Sequence, residues 1–358
     1  MPSYTPPLRD MQFVMHEVFK VTDDFKAMPQ HADIDVDTIN AVLEEGGKFA
    51  AEVLFPLNSS GDAEGCTLDK ATHEVKTPQG FKEAYAKYVE GGWPALSCDP
   101  EFGGQGLPKV VNACVTEMWK SANHAFSLCP LLTTGAIEAL VLAGSDELKS
   151  TYLEKMVSGV WTGTMNLTEP GAGSDLAAVR TKAEPQGDGT YKIFGQKIFI
   201  TYGEHDMAEN IVHLVLARVQ GAPEGVKGIS LFVCPKFMVN KDGSLGARND
   251  VHCVSIEHKM GIKASPTAVL QFGDHGGAVG YLVGQENRGL EYMFIMMNAA
   301  RYGVGVQGIA VAGRAYQKAV NYAKDRVQSR PVDGSMNTSA PIIHHPDVRR
   351  MLMTMRAF

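Results

Sequence analysis

The sequence predicts an α+β multidomain protein with an N-terminal α-helical domain, a middle β-barrel or sandwich domain, and the start of a C-terminal α-helical bundle. Three observations carry this reading. The chain has 358 residues, enough for two or three domains at roughly 150 residues each. Apolar residues keep a helical period up to about Trp161, and from about Gly163 short β-branched and aromatic runs separated by turn residues replace it. After the glycines within 276–280 the helical period returns. These changes divide the chain into an N-terminal extension (1–36), a helical domain (37–161), a β domain (162–280) and an incomplete helical domain (281–358).

Each element follows from its local pattern. Ile39, Val42, Leu43, Phe49, Val53 and Leu54 share one stripe behind the candidate caps Asp35 and Asp37, so a helix is expected there, ending near Pro56. Further helices are expected from Pro78 to Glu90, stopped by Gly91 and Gly92, from Val110 to Ala125, and from Glu147 to Val157 after Ser145. The β segment offers strands at Tyr191–Phe194, Lys197–Thr201, Ile211–Val219, Ile229–Val233 and Ala268–Phe272. Leu290, Met293, Phe294 and Met297 then open a helix that reaches Arg326. Pro346 sits at the first turn of a last helix whose stripe is Val348, Met351, Leu352, Met355 and Phe358. A stripe without a downstream partner predicts a domain cut short, the alternative being a terminal helix docked on the body.

Composition narrows the function classes. Lys plus Arg number 33 against 40 Asp plus Glu, a formal charge of −7 with no basic run, which speaks against a nucleic-acid partner. Six cysteines lie scattered with no C-x-x-C pair, so neither a disulfide framework nor a zinc knuckle is signalled, and a reducing cytoplasm fits. Pro2, Pro6, Pro7, Arg9 and Asp10 occupy the place of a signal peptide's apolar stretch. The longest apolar run noted, Tyr292–Met297, is far short of the ~20 residues a membrane span needs.

Four patterns bear on chemistry. Thr168-Glu169-Pro170-Gly171-Ala172-Gly173-Ser174-Asp175 joins small residues and hydroxyls at the α/β junction, either as a ligand loop whose backbone N–H groups approach a polar group or as a plain interdomain turn. Gly303-x-Gly305-x-x-Gly308, with Asp325 downstream, has the letters of a dinucleotide site, but no strand precedes it, so the glycines are expected to pack helices. Arg301 is a lone cation among apolar neighbours, suited to an acid or an anionic ligand. Phe199-Ile200-Thr201 sets an aromatic ring beside a hydroxyl at a strand end, where it could flank a planar ring or lie in the core. His344-His345 reads as a solvated helix start, and no metal site is assigned.

Five separated segments together resemble the acyl-CoA dehydrogenase family. They are Gly92-Trp93 with Asp99 through Leu107; Leu167 through Asp175; Lys197 through Thr201; Lys259 through Thr267; and Arg301 through Arg326. The extension Tyr4–Val14 is similar to the leader of a subgroup acting on 3-methylmercaptopropionyl-CoA or on a broad range of fatty acyl-CoAs. The resemblance implies FAD held noncovalently, with Met165, Leu167, Thr168, Phe199, Ile200 and Thr201 at the flavin and Ser174 facing both flavin and CoA. It further implies Arg301 at the CoA phosphates and Arg326 at the FAD pyrophosphate of a neighbouring subunit. The implied reaction removes an α proton and a β hydride from an acyl-CoA, giving the trans-2-enoyl-CoA, with an electron-transfer flavoprotein as acceptor and a homodimer or homotetramer as the assembly. Two departures stand out: Asn166 where a small residue is usual, and Phe199 where tryptophan is usual. The family's glutamate base is expected beyond Phe358, so no catalytic residue is assigned and Glu169 is read as structural. The alternative is a noncatalytic flavin- or acyl-CoA-binding subunit, or a fragment.

Overall fold

The computed structural model describes residues 4–357. The N-terminal extension, which the sequence left without elements, is helical: α1 (Leu8–Phe13) runs into a π-helical turn and is followed by α2 (Val21–Lys26). Tyr4, Met11, Met15, Val21 and Phe25 bury themselves in the same core as the helical domain, and Thr5 is pinned to Gln317 by two hydrogen bonds of 3.1 and 2.8 Å.

Asp35 caps α3 (Val36–Lys48) by accepting from the Thr38 N–H at 2.8 Å. This helix does not end at Pro56. Residues Phe49–Leu54 widen into a π-helical stretch and the chain continues as α4 (Pro56–Glu64). The Phe55 N–H reaches back to the Ala50 carbonyl at 2.9 Å, a five-residue step. The wider turn makes room for a residue that has no N–H and would otherwise crowd the carbonyl four residues before it. The hairpin β1 (Thr67–Asp69) and β2 (Glu74–Lys76) interrupts the helices, and α5 (Phe81–Glu90) ends at Gly91 and Gly92 as expected. The helix expected at Val110–Ala125 is instead two: α6 (Lys109–Ala122) and α7 (His124–Ala143). Asn123 breaks them with φ −148°, accepts from the Phe126 N–H at 3.1 Å and donates to the Leu54 carbonyl at 3.1 Å. Ser145 caps α8 (Asp146–Val157). Among the described residues α7, not the run at Tyr292, is the one helix long and apolar enough to cross a membrane. Its place between a sheet strand and the long helix below accounts for that composition.

The middle domain holds β3 (Trp161–Asn166), β4 (Lys182–Pro185), β5 (Thr190–Thr201), β6 (Asn210–Val219), β7 (Ile229–Pro235), the small pair β8 (Phe237–Val239) and β9 (Leu245–Arg248), then β10 (Val251–Ile256), β11 (Thr267–Phe272) and β12 (Ala278–Val283). β4 pairs with both β5 and β6, so β5, β12, β7, β6 and β4 form a closed circuit. β3 lies parallel beside β6, and β11 and β10 extend the sheet from the second half of β5. The two strands expected at 191–194 and 197–201 are one strand, turned at Gly195, where φ is +149° and a Cβ would meet Thr181 Oγ1 at 2.6 Å, so a side chain is excluded. Gly276 and Gly277, with φ +109° and +101°, turn the chain into β12, which runs to Val283.

α9 (Gly289–Asp325) is a single helix of 37 residues. Met293 and Met296 enter the core shared by α7, β3, β6 and β7, while Arg314 donates to the Ser121 and Ala122 carbonyls at 2.7 and 2.8 Å and closes the end of α6. In α10 (Pro346–Ala357) only Leu352 of the expected stripe is buried, and Phe358 lies outside the described residues.

Candidate functional site

The loop Leu167–Asp175 leaves the end of β3 and is fastened to β5 from beneath. Glu169 and Ala172 close a tight turn by exchanging backbone hydrogen bonds of 2.9 and 3.1 Å. The Thr168 carbonyl accepts from the Ile198 N–H at 2.9 Å, and Lys197 Nζ donates to the Leu167 carbonyl at 2.9 Å and to Glu169 Oε1 at 2.8 Å. Glu169 Oε1 also accepts from the Thr181 N–H and hydroxyl, and Oε2 accepts from the Arg180 N–H at 2.7 Å. Lys197 is 0% exposed. Burial pushes the Glu169 carboxyl up, but the Lys197 ammonium and these donors outweigh it and hold it below its ordinary value. Burial in turn pulls Lys197 down to about 8, against the pull of Glu169. Glu169 is therefore a carboxylate that accepts four hydrogen bonds and clamps the loop to β5.

The rim above this clamp is open. Opposite Ile198 and Phe199 on β5 stands Val269 alone on β11, because the pairing steps from Ala268–Ile200 to Leu270–Lys197. This bulge puts Phe199 at φ +62° and turns its ring outward, 57% exposed. Ile200, next to it, is buried against the barrel core, so only its backbone can meet a ligand. Thr201 is half-buried. Gly171 has nothing within 4 Å of its missing side chain, Gly173 has only Thr168 Cγ2 at 3.8 Å, and Ser174 is exposed. The structure thus brings Leu167 and Thr168 to the strand that carries Phe199, Ile200 and Thr201, with Met165 two residues earlier on β3 and Ser174 exposed on the same loop. Arg301 is exposed on α9, its guanidinium over the Phe294 ring at 5.2 Å and bonded to Asn298 Oδ1 at 2.9 Å. Arg326 caps the far end of α9, about 38 Å from Arg301 along the axis at 1.5 Å per residue.

A cavity of about 520 Å³ lies between α6, α7 and α9, walled by Trp119, Phe126, Pro130, Leu131, Tyr302 and Gly303. Sequence reasoning missed it. A Cβ at Gly303 would meet Leu131 Cδ1 at 2.4 Å, so this glycine does let two helices close, whereas Gly305 and Gly308 face open space. Lys120, also in the wall, is drawn down to about 8 by burial. His344 and His345 diverge, His345 Nε2 donating to the Gln328 carbonyl at 2.8 Å.

Family models match two parts of the chain: the acyl-CoA dehydrogenase N-terminal domain over residues 41–160 and the acyl-CoA dehydrogenase middle domain over residues 164–275. The chain is 55% identical over 355 residues to a 3-methylmercaptopropionyl-CoA dehydrogenase of Ruegeria pomeroyi, covering 99% of this chain and 59% of that protein. It is 40% identical over 358 residues to a butyryl-CoA dehydrogenase of Syntrophomonas wolfei, covering 98% and 58%. A solved acyl-CoA dehydrogenase from Bacillus anthracis complexed with FAD is similar with a TM-score of 0.71 and 26% identity, over 91% of this chain and 49% of that one. The chain therefore spans about three fifths of the length of these curated relatives.

Proposed function

The chain belongs to the acyl-CoA dehydrogenase family, and on that premise we propose that it holds FAD for the α,β-dehydrogenation of an acyl-CoA thioester to the trans-2-enoyl-CoA. The 55% identity favours 3-methylmercaptopropionyl-CoA as substrate, ahead of short or medium fatty acyl-CoAs.

The observation that carries the reading is the open rim itself: an outward aromatic ring on a bulge, beside a glycine-rich loop whose carbonyls are engaged inward. Such a rim fits a planar heterocycle with polar edges. Phe199 would hold the flavin's aromatic system, and the Thr168 and Thr201 hydroxyls with the backbone of Met165 and Leu167 would offer it polar contacts. When bound, the flavin supplies the hydride acceptor. Ser174, exposed beside Thr168, serves both cofactor and CoA. Arg301 offers a cation to the CoA phosphates, and the cavity between α6, α7 and α9 excludes water from the acyl chain. Arg326, at the far end of α9 from Arg301, serves the FAD of a second copy, which requires a dimer or a larger assembly. An electron-transfer flavoprotein is the acceptor. The α-proton base is assigned to none of the described residues, because Glu169 is fully engaged in the clamp.

The test is an absorption spectrum of the purified chain, taken before and after anaerobic addition of 3-methylmercaptopropionyl-CoA or butyryl-CoA. Flavin bands at one FAD per chain are expected. Bleaching by acyl-CoA would place the base within these residues, and persistent bands would show the binding half alone. A folded chain that neither retains nor takes up FAD would overturn the proposal.

A further inference from the structure

A separate group of metal-ligating side chains lies at the end of β11 away from the Phe199 bulge. Asp250 immediately precedes β10, His252 is the second residue of β10, and His275 sits in the turn between β11 and β12. His252 Nε2 is 3.4 Å and His275 Nδ1 3.3 Å from the same oxygen, Asp250 Oδ1, and the three donor atoms all lie within 4.8 Å of one another. The second oxygen, Oδ2, accepts from the His275 and Gly277 N–H groups at 2.7 and 3.1 Å. That fixes the carboxylate so that Oδ1 faces both imidazoles. The two rings stand at 85° with centroids 5.5 Å apart, so they are not stacked on each other.

Separations of 3.3 and 3.4 Å are long for a charge-assisted hydrogen bond, which prefers about 2.7–2.9 Å. They match a different geometry. Two N or O donors bound tetrahedrally to zinc at about 2.0–2.1 Å stand about 3.4 Å apart. We propose that Asp250, His252 and His275 bind a divalent transition metal of the zinc class through one carboxylate oxygen and two imidazole nitrogens, with the fourth position open to solvent.

The donor set suits Zn²⁺, Cu²⁺ or Ni²⁺ over Mg²⁺ or Ca²⁺, which favour all-oxygen shells. His275 is 78% exposed, giving an entry path. His73, on the β1–β2 turn, donates through Nδ1 to the Cys253 carbonyl at 3.0 Å and holds its ring 5.2 Å from that of His252. A metal here would tie the β11–β12 turn to β10, next to the point where the N-terminal hairpin touches the sheet. The site has no part in the dehydrogenation proposed above.

The test is titration of the metal-free full chain with Zn²⁺ against a chromophoric chelator, with Co²⁺ as an optical probe. One Zn²⁺ per chain is expected, with intense visible Co²⁺ bands of low-coordinate geometry. His275→Ala and His252→Ala should each weaken Zn²⁺ at least tenfold, while His258→Ala, an exposed residue outside the cluster, should not. His275 is on the surface, so its variant keeps the test open if His252→Ala fails to fold. Unchanged Zn²⁺ affinity in a folded His275→Ala protein, absence of a one-equivalent site, or weak octahedral Co²⁺ bands would overturn the proposal.

Discussion

Among the described residues three lysines are buried, and they differ in what stands opposite them. Lys197 meets Glu169 beneath the ligand rim. Lys236 meets Glu204 at 2.5 Å inside the middle domain, where Arg248 adds a second cation at 3.2 Å from the same carboxylate. Lys120 lines the helical cavity and has no carboxylate partner among the described residues. The first pair holds carbonyls of an exposed loop, the second ties strand ends together in the interior, and the third carries only the cost of burial. A buried ion pair is thus neither a functional nor a structural feature by itself; its role follows from which backbone its atoms fix.

The largest effect is expected at Lys197. Lys197→Met leaves the Glu169 carboxylate buried and frees the Leu167 carbonyl, so a loss of about 3–5 kcal/mol is expected in a urea melt, together with loss of FAD from the gel-filtered protein. Retention of FAD at full occupancy would break the assignment of Lys197 to the rim. Glu204→Gln removes the partner of Lys236 and Arg248 and should cost a comparable, slightly smaller amount. Its FAD affinity, measured by fluorescence titration on the folded fraction, should stay within about twofold, since nothing at the rim touches it.

Lys120 gives a pH signature. Its folded-state value of about 8 lies below the 10.5 of a free lysine, so between those values the unfolded chain binds more protons and stability rises with pH. The melting temperature of the protein relative to Lys120→Met should climb from about pH 8 towards pH 10.5 and be flat below pH 7. A constant difference across that range would show that the ammonium is solvated. The smallest effect on stability belongs to Phe199→Ala, an exposed side chain whose removal should change the unfolding free energy by less than about 0.5 kcal/mol. Its FAD affinity should nevertheless fall by about three- to tenfold, the worth of one aromatic contact.

How far the sequence carried the reading depends on whether a feature is local. Ser145, Asp35 and Gly91 announced helix ends because a cap acts within one turn. The loop at Thr168–Asp175 was visible because its small residues are contiguous. Pro56 misled, since the widened turn that accommodates it belongs to Phe49–Leu54, residues that read as ordinary helix. The exposure of Phe199 could not be read, because it depends on Val269 facing two residues instead of one across the sheet. The Lys197–Glu169 clamp joins residues 28 positions apart, and the cavity sets α6 and α7 against the distant α9, by topology alone. Asp250 and His252 sit next but one on a chain, whereas His275 follows after a whole strand, a spacing that no ligand motif encodes.

The strand β5 has a consequence for how the rim meets its ligand. It is flanked by β4 and β12 along its first half, whose amides should be among the slowest in the chain to exchange with deuterated solvent, and by β11 along its second. Phe199 sits at the bulge in that second half, held between the Ala268–Ile200 and Leu270–Lys197 pairs before any ligand arrives. A ring landing there loses its own motion and little of the protein's, so most of the contact energy is kept as affinity.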